Sequence, residues 1–151
     1  NVLVLRTVSK SFSLAGLRLG YAFGDPSVLS EIHKVRDSYN ADRLSQALGL
    51  AAFSPEGLAS MRASVKKVVA ERGRLTGLLR GLGFEVAESS ANFVLAGWKG
   101  RPSAERLARA LKGRGVLVRY FPLPRLEDSL RITVGTPAQT DRLIRELKRL
   151  V

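Results

Sequence analysis

The chain opens with two short apolar runs, Val2-Leu3-Val4-Leu5 and Leu17-Arg18-Leu19-Gly20-Tyr21-Ala22-Phe23, separated by a polar gap. Both have the length and turn-type boundaries of buried strands, although periodicity alone leaves a short buried helix open. Asp25-Pro26 then reads as an N-cap followed by proline at the first helical position, with Val28, Leu29, Ile32 and Val35 on one face. Turn formers from Asp37 to Asp42 break that pattern. A second helix follows, and its spacing predicts Leu44, Ala47, Leu48 and Ala51 as the inward face.

Ser54-Pro55-Glu56 repeats the cap-then-proline signal and starts an unusually long helix carried by Leu58, Met61, Val65, Val68, Leu75 and Leu79. Gly73 and Gly77 weaken or bend it, and Gly81 and Gly83 end it. Such a helix commonly crosses between domains, which puts a boundary at Ser54 and divides the chain into residues 1–53 and 54–151.

Past the long helix, strands are predicted at Gly83–Val86, Ser90–Ala96, Val116–Phe121 and Ser129–Val134. Ser103 caps a helix with Leu107, Ala108 and Leu111 inward. Thr136-Pro137-Ala138-Gln139 is a capping box with proline at its first position, opening a helix that buries Leu143, Ile144, Leu147 and Leu150. Strands mixed with one-faced helices describe a two-layer α+β domain.

The polar gap near the N-terminus holds the candidate chemistry. Ser9, Lys10, Ser11, Ser13 and Gly16 lie between the two apolar runs, which presents an amine at the end of a strand among hydroxyls. A loop of this kind can gather backbone N–H groups, hydroxyls and the Arg18 guanidinium around a phosphate while Lys10 reaches a carbonyl carbon. Those are the requirements for holding pyridoxal phosphate as a Schiff base. The competing reading of Ser-Lys-Ser alone is a surface lysine in a serine-rich turn.

Composition narrows the remaining classes. The 151 residues, 45% hydrophobic and 25% charged, suit a globular chain with a substantial core. No apolar run has the length of a membrane span, and the start has no basic-then-apolar leader pattern and no methionine, as expected for the cut edge of a longer polypeptide. The chain has no cysteine, which excludes disulfides and thiolate metal sites and fits a cytoplasmic protein. The single histidine, His33, has no second ligand or triad partner beside it, so no metal site is expected. The formal charge of +12 raises nucleic acid as a partner. The arginines are dispersed, however, and only Arg119-Tyr120-Phe121 combines charge with aromatics, so neither nucleic acid nor membrane is expected as a partner.

The run from Asn1 to Gly24, "NVLVLRTVSKSFSLAGLRLGYAFG", resembles the lysine-bearing segment of fold-type I pyridoxal-phosphate aminotransferases, most closely the histidinol-phosphate aminotransferase family. The resemblance implies an α/β fold comprising the end of a large cofactor-binding domain plus a small two-layer α+β domain. It implies Lys10 as the catalytic, Schiff-base lysine, Ser9 and Arg18 as anchors of the cofactor phosphate, and Thr7 as a further hydroxyl of that cup. "SLRITVGTP" resembles the segment whose arginine binds the substrate α-carboxylate, which assigns that role to Arg131. Arg119 in "GVLVRYF" matches a position facing the substrate phosphate, and Asn92 in "SSANFVLA" one at the mouth of the site. Read from the residues alone, Arg119 and Arg131 are equally the solvent face of alternating strands, Asn92 a strand-end turn residue. Tyr39-Asn40 fits a tyrosine-asparagine pair of the family near the substrate, with Ser38 and Asp42 departing from its commoner neighbours and a capping turn as the competing reading.

The implied activity is amino transfer between L-histidinol phosphate and 2-oxoglutarate in histidine biosynthesis, by a cytoplasmic homodimer acting on small molecules. The resemblance spans only the C-terminal portion of that family, so the chain alone is expected to be an inactive piece. A phosphothreonine decarboxylase or another fold-type I aminotransferase is the nearest alternative. A basic module binding nucleic acid or protein is the alternative from a different class.

Overall fold

The computed structural model describes residues 2–151, and Asn1, the first residue of the lysine-bearing run, lies outside the described residues. The chain divides into two compact units, Asn1–Val65 and Lys66–Val151.

In the first unit, β1 (Val4–Thr7) and β2 (Gly20–Phe23) form a two-stranded antiparallel ribbon in which Val4 faces Phe23 and Thr7 faces Gly20. A 3₁₀ turn, Ala15–Leu17, lies in the connection. Two helices follow, α1 (Pro26–Val35) and α2 (Arg43–Ala52), and the first turns of α3 (Pro55–Arg80) complete the unit. The cap read at Asp25 is present, its side chain accepting from the Ser27 N–H, and Asp42, read from the sequence only as a turn former, caps α2 by accepting from the Ser45 N–H. Hydrogen bonds from the Ser45 hydroxyl and N–H, in that order, hold the Asp42 carboxyl below its usual pKa.

The first unit departs from its sequence pattern in three places. The opening strands are not buried: every residue of β1 is exposed, Leu5 at 71%. A two-stranded ribbon has no second layer of its own on which to bury a face. Leu17 and Arg18 precede β2 instead of belonging to it, because Arg18 takes a left-handed φ of 53° at the end of the 3₁₀ turn. Helix α2 faces the other way from its apolar spacing. Ser45, Gly49 and Ala52 are buried, while Leu44 and Leu48 are exposed.

The second unit has its own core. Its four-stranded antiparallel sheet runs in the order β3 (Glu85–Val86), β4 (Phe93–Gly97), β6 (Ser129–Thr133), β5 (Arg119–Tyr120). Alternation in β4 and β6 sends Val94, Ala96, Leu130 and Ile132 to one face. There they pack with Leu75 and Leu79 of α3, Leu107 and Leu111 of α4 (Ala104–Gly113), and Leu143, Ile144 and Leu147 of α5 (Pro137–Leu147). The capping box is formed, Gln139 N–H donating to Thr136 Oγ1 at 3.4 Å and Thr136 N–H to Gln139 Oε1 at 2.8 Å. Helix α3 runs through Gly73 and Gly77 to 26 residues, roughly 39 Å at 1.5 Å per residue.

Two predicted strands are shorter than their sequence patterns. Only Arg119 and Tyr120 of the run Val116–Phe121 pair with β6. Gly115, at φ +73°, turns the chain out of α4, and Val116 N–H bonds back to Leu111 O. Ser90 to Asn92 likewise stay outside β4, because Ser89 Oγ donates to Phe93 O at 2.6 Å and accepts from Ala91 N–H, closing a local turn.

Candidate functional site

In the first unit the lysine loop is built on one buried residue, Val8, which is 0% exposed. Val8 N–H donates to Leu19 O and Val8 O accepts from Leu14 N–H, so the loop is tied to the approach to β2 at both ends. Ser13 N–H donates to Lys10 O, and Ser13 itself takes a left-handed φ of 59°. Phe12 packs on Phe53 at 5.1 Å between ring centroids, and Tyr21 meets Phe53 edge-on at 5.3 Å. These contacts staple the loop to the end of α2 and leave Lys10 exposed.

Thr7 Oγ1 and Ser9 Oγ share a hydrogen bond of 2.8 Å, Ser9 N–H donates to Thr7 Oγ1 at 3.1 Å, and the Thr7 hydroxyl donates to Leu19 O at 3.2 Å. The structure therefore brings Thr7 and Ser9 together directly before Lys10. Arg18 is held separately, its Nη1 donating to Ala15 O at 2.8 Å. Two hydroxyls, a guanidinium free of any carboxylate among the described residues, and a primary amine make a donor set suited to a phosphate plus a carbonyl carbon. That chemistry fits pyridoxal phosphate. Tyr39, also in this unit, is 93% exposed in a turn, where its N–H lies 3.4 Å from Asp37 Oδ1.

In the second unit the sheet face opposite the core carries the other candidates. Arg119 and Arg131 are directly opposed partners on β5 and β6. Neither has a carboxylate partner among the described residues. Their neighbours are aromatic instead. The Arg131 guanidinium lies 5.3 Å from the Phe93 ring centroid and 5.5 Å from that of Phe121, and the Arg119 guanidinium lies 5.2 Å from Phe121. Two like charges directly across an antiparallel pair repel each other, and an anion between them relieves this. Asn92 is exposed at the start of β4, where its carbonyl accepts from Val134 N–H at 2.9 Å.

The sequence pattern named Phe121 only within the charged-aromatic run Arg119-Tyr120-Phe121 and gave no role to Phe93. The signal was present, because period two along β4 and β6 puts Phe93, Leu95, Arg131 and Thr133 on one face.

The sequence profile of the family described as aminotransferase class I and II matches residues 1–147. Histidinol-phosphate aminotransferase 2 of Burkholderia mallei (strain ATCC 23344) is 46% identical over 154 residues, covering 100% of this chain and 42% of that protein. The chain thus spans less than half the length of this relative. The solved histidinol-phosphate aminotransferase from Sinorhizobium meliloti, in complex with pyridoxal-5'-phosphate, superimposes with a TM-score of 0.81 at 25% identity, covering 99% of this chain and 41% of that one. A decarboxylase from Sulfurospirillum multivorans superimposes with a TM-score of 0.87 at 25% identity, covering 99% and 39%.

Proposed function

Because the chain belongs to the class I and II aminotransferase family, we propose that it carries the lysine and the anion-recognition half of an enzyme moving an amino group between L-histidinol phosphate and 2-oxoglutarate. Its fold is the expected fold-type I α/β architecture, represented by part of that fold. The identity to curated histidinol-phosphate aminotransferases supports the substrate assignment. The observation that carries it is the cross-strand pair Arg119 and Arg131, which has no carboxylate partner among the described residues.

Histidinol phosphate has one anionic end, its phosphate, and two adjacent guanidiniums suit one dianion better than two separated acids. Arg131 and Arg119 therefore act as one clamp on that phosphate, with Arg131 keeping the α-carboxylate role its sequence segment suggests when an amino or oxo acid occupies the site. The same clamp takes a carboxylate of 2-oxoglutarate in the return half-reaction.

Pyridoxal phosphate, when bound, supplies an electron sink for the bonds at the substrate Cα. Ser9, Thr7 and Arg18 would hold its phosphate, and Lys10 would supply the amine that its carbonyl carbon requires. Lys10 Nζ would also move the proton at the substrate Cα, as general base and then as general acid. Asn92 and Tyr39 are candidate substrate contacts at the edges of their units. The enzyme works on small molecules as a cytoplasmic homodimer, with residues 1–53 belonging to the large domain and residues 54–151 to the small one. The exposed apolar faces of α1 and β1 support further covering polypeptide.

The likeness to a decarboxylase favours one second reading, decarboxylation of a phosphorylated amino acid such as phosphothreonine. Assay of the complete polypeptide separates the two. Amino transfer from L-histidinol phosphate to 2-oxoglutarate is the expected result, and carbon dioxide release from phosphothreonine without amino transfer would support the alternative.

A further inference from the structure

Among the described residues, Phe121 is the one side chain whose ring lies against both guanidiniums, 5.2 Å from Arg119 and 5.5 Å from Arg131. We propose that Phe121 is a positioning residue that holds Arg119 and Arg131 parallel as a preformed clamp for the single phosphate of the substrate. This rests on the reading that the two arginines bind that phosphate.

Arg119 and Arg131 are cross-strand partners, so their side chains leave the sheet as direct neighbours of equal charge. Long cationic side chains in that position swing apart into water, which costs little and regains rotamer freedom. The negative face of an aromatic ring opposes this, because it attracts each cation without neutralising it. A carboxylate in the same place would pair with the arginines and compete with the substrate. Phe121 orders them and leaves their outward N–H donors for a ligand, so the ordering cost is met before binding. Phe93 contacts Arg131 alone at 5.3 Å, and its share is accordingly smaller. Tyr120, between Arg119 and Phe121, pairs with Leu130 and packs against the core, which locks the backbone that carries the ring.

The test is steady-state kinetics of the complete polypeptide with L-histidinol phosphate. KM is independent of the fraction of protein that folds, so it reports positioning even if a variant is less stable. Phe121→Leu is expected to raise KM about tenfold with kcat changed less than about twofold, and Phe121→Tyr, which keeps the ring, to restore KM. Phe93→Leu is expected to raise KM only about two- to threefold. In an Arg119→Gln background, Phe121→Leu should lose part of its effect, because one of its two cations is already gone. An unchanged KM in Phe121→Leu, or an undiminished effect in the Arg119→Gln background, would overturn this role. If Arg119→Gln and Arg131→Gln themselves leave KM unchanged, the phosphate-clamp reading beneath it fails instead.

Discussion

Gly49 of α2 faces Leu19 so closely that a Cβ on the glycine would come within 2.7 Å of Leu19 Cδ2. This approach turns the small-residue side of α2, Ser45, Gly49 and Ala52, inward, and Ser45 Oγ reaches Leu17 O at 3.5 Å on the same side. The obstacle at Gly49 is the end of a flexible side chain. At Gly57 it is backbone, since a Cβ there would overlap the carbonyl groups of Ala51 and Ala52. Gly57→Ala is therefore expected to destabilise the chain by about 1–3 kcal/mol, whereas Gly49→Ala costs less than about 1 kcal/mol after its gain in helix propensity. Urea unfolding of the two variants checks the order.

The inverted face of α2 gives a second prediction. Leu48 is 51% exposed, so Leu48→Ser should change the stability of this chain by no more than about 0.5 kcal/mol. Leu107, at 0% exposure in the second unit's core, should cost about 2–5 kcal/mol as Leu107→Ala. Thermal or urea unfolding distinguishes the two outcomes.

These contrasts show what the sequence made legible. Caps at Asp25, Ser103 and Thr136 were readable because a cap is a local bond between residues three or fewer apart. The second unit's core was readable because Val94, Ala96, Leu130 and Ile132 alternate on strands whose burying layer lies within the same stretch of chain. The first unit misled because the apolar faces of β1 and α2 are exposed among its described residues, so apolar spacing and burial come apart there. Lys10 stood out through its motif. The pairing of Arg119 with Arg131 needed the register of β5 against β6, which no local pattern states.

Glu71 gives a pH-dependent prediction. It is buried on α3 and takes hydrogen bonds from Arg74 Nε and Nη2, while Arg74 Nη1 donates to Asp141 at 2.7 Å and Nη2 also to Pro137 O. The network ties α3 to the start of α5. The Arg74 hydrogen bonds, with a smaller contribution from Thr140, hold the Glu71 carboxyl below its usual pKa despite burial. A depressed folded-state pKa stabilises the fold above the unfolded value, near 4.5, and that stabilisation is lost as pH falls through the folded-state value. Glu71→Gln should cost about 1–2 kcal/mol at pH 7, with the difference from the parent shrinking steadily below about pH 4. A pH series of urea midpoints for the two proteins is the check.

The phosphate cup proposed for Ser9, Thr7 and Arg18 predicts cofactor affinity. Removing a hydroxyl or guanidinium donor from a charged phosphate costs about 1.5–3 kcal/mol, so Ser9→Ala and Arg18→Ala should each weaken pyridoxal phosphate binding about 10- to 100-fold in the complete polypeptide. Thr7→Val should weaken it too, because it also removes the acceptor of the Ser9 N–H bond. Titration of the cofactor's visible absorbance measures all three.

The most direct test concerns Lys10 itself. The complete polypeptide, loaded with pyridoxal phosphate, is treated with borohydride, digested and mapped by mass spectrometry. The account predicts a stable cofactor adduct on the peptide bearing Lys10 and its loss, together with turnover, in Lys10→Ala. An adduct on Lys34, Lys66 or any other lysine, or full amino transfer by Lys10→Ala, would contradict it.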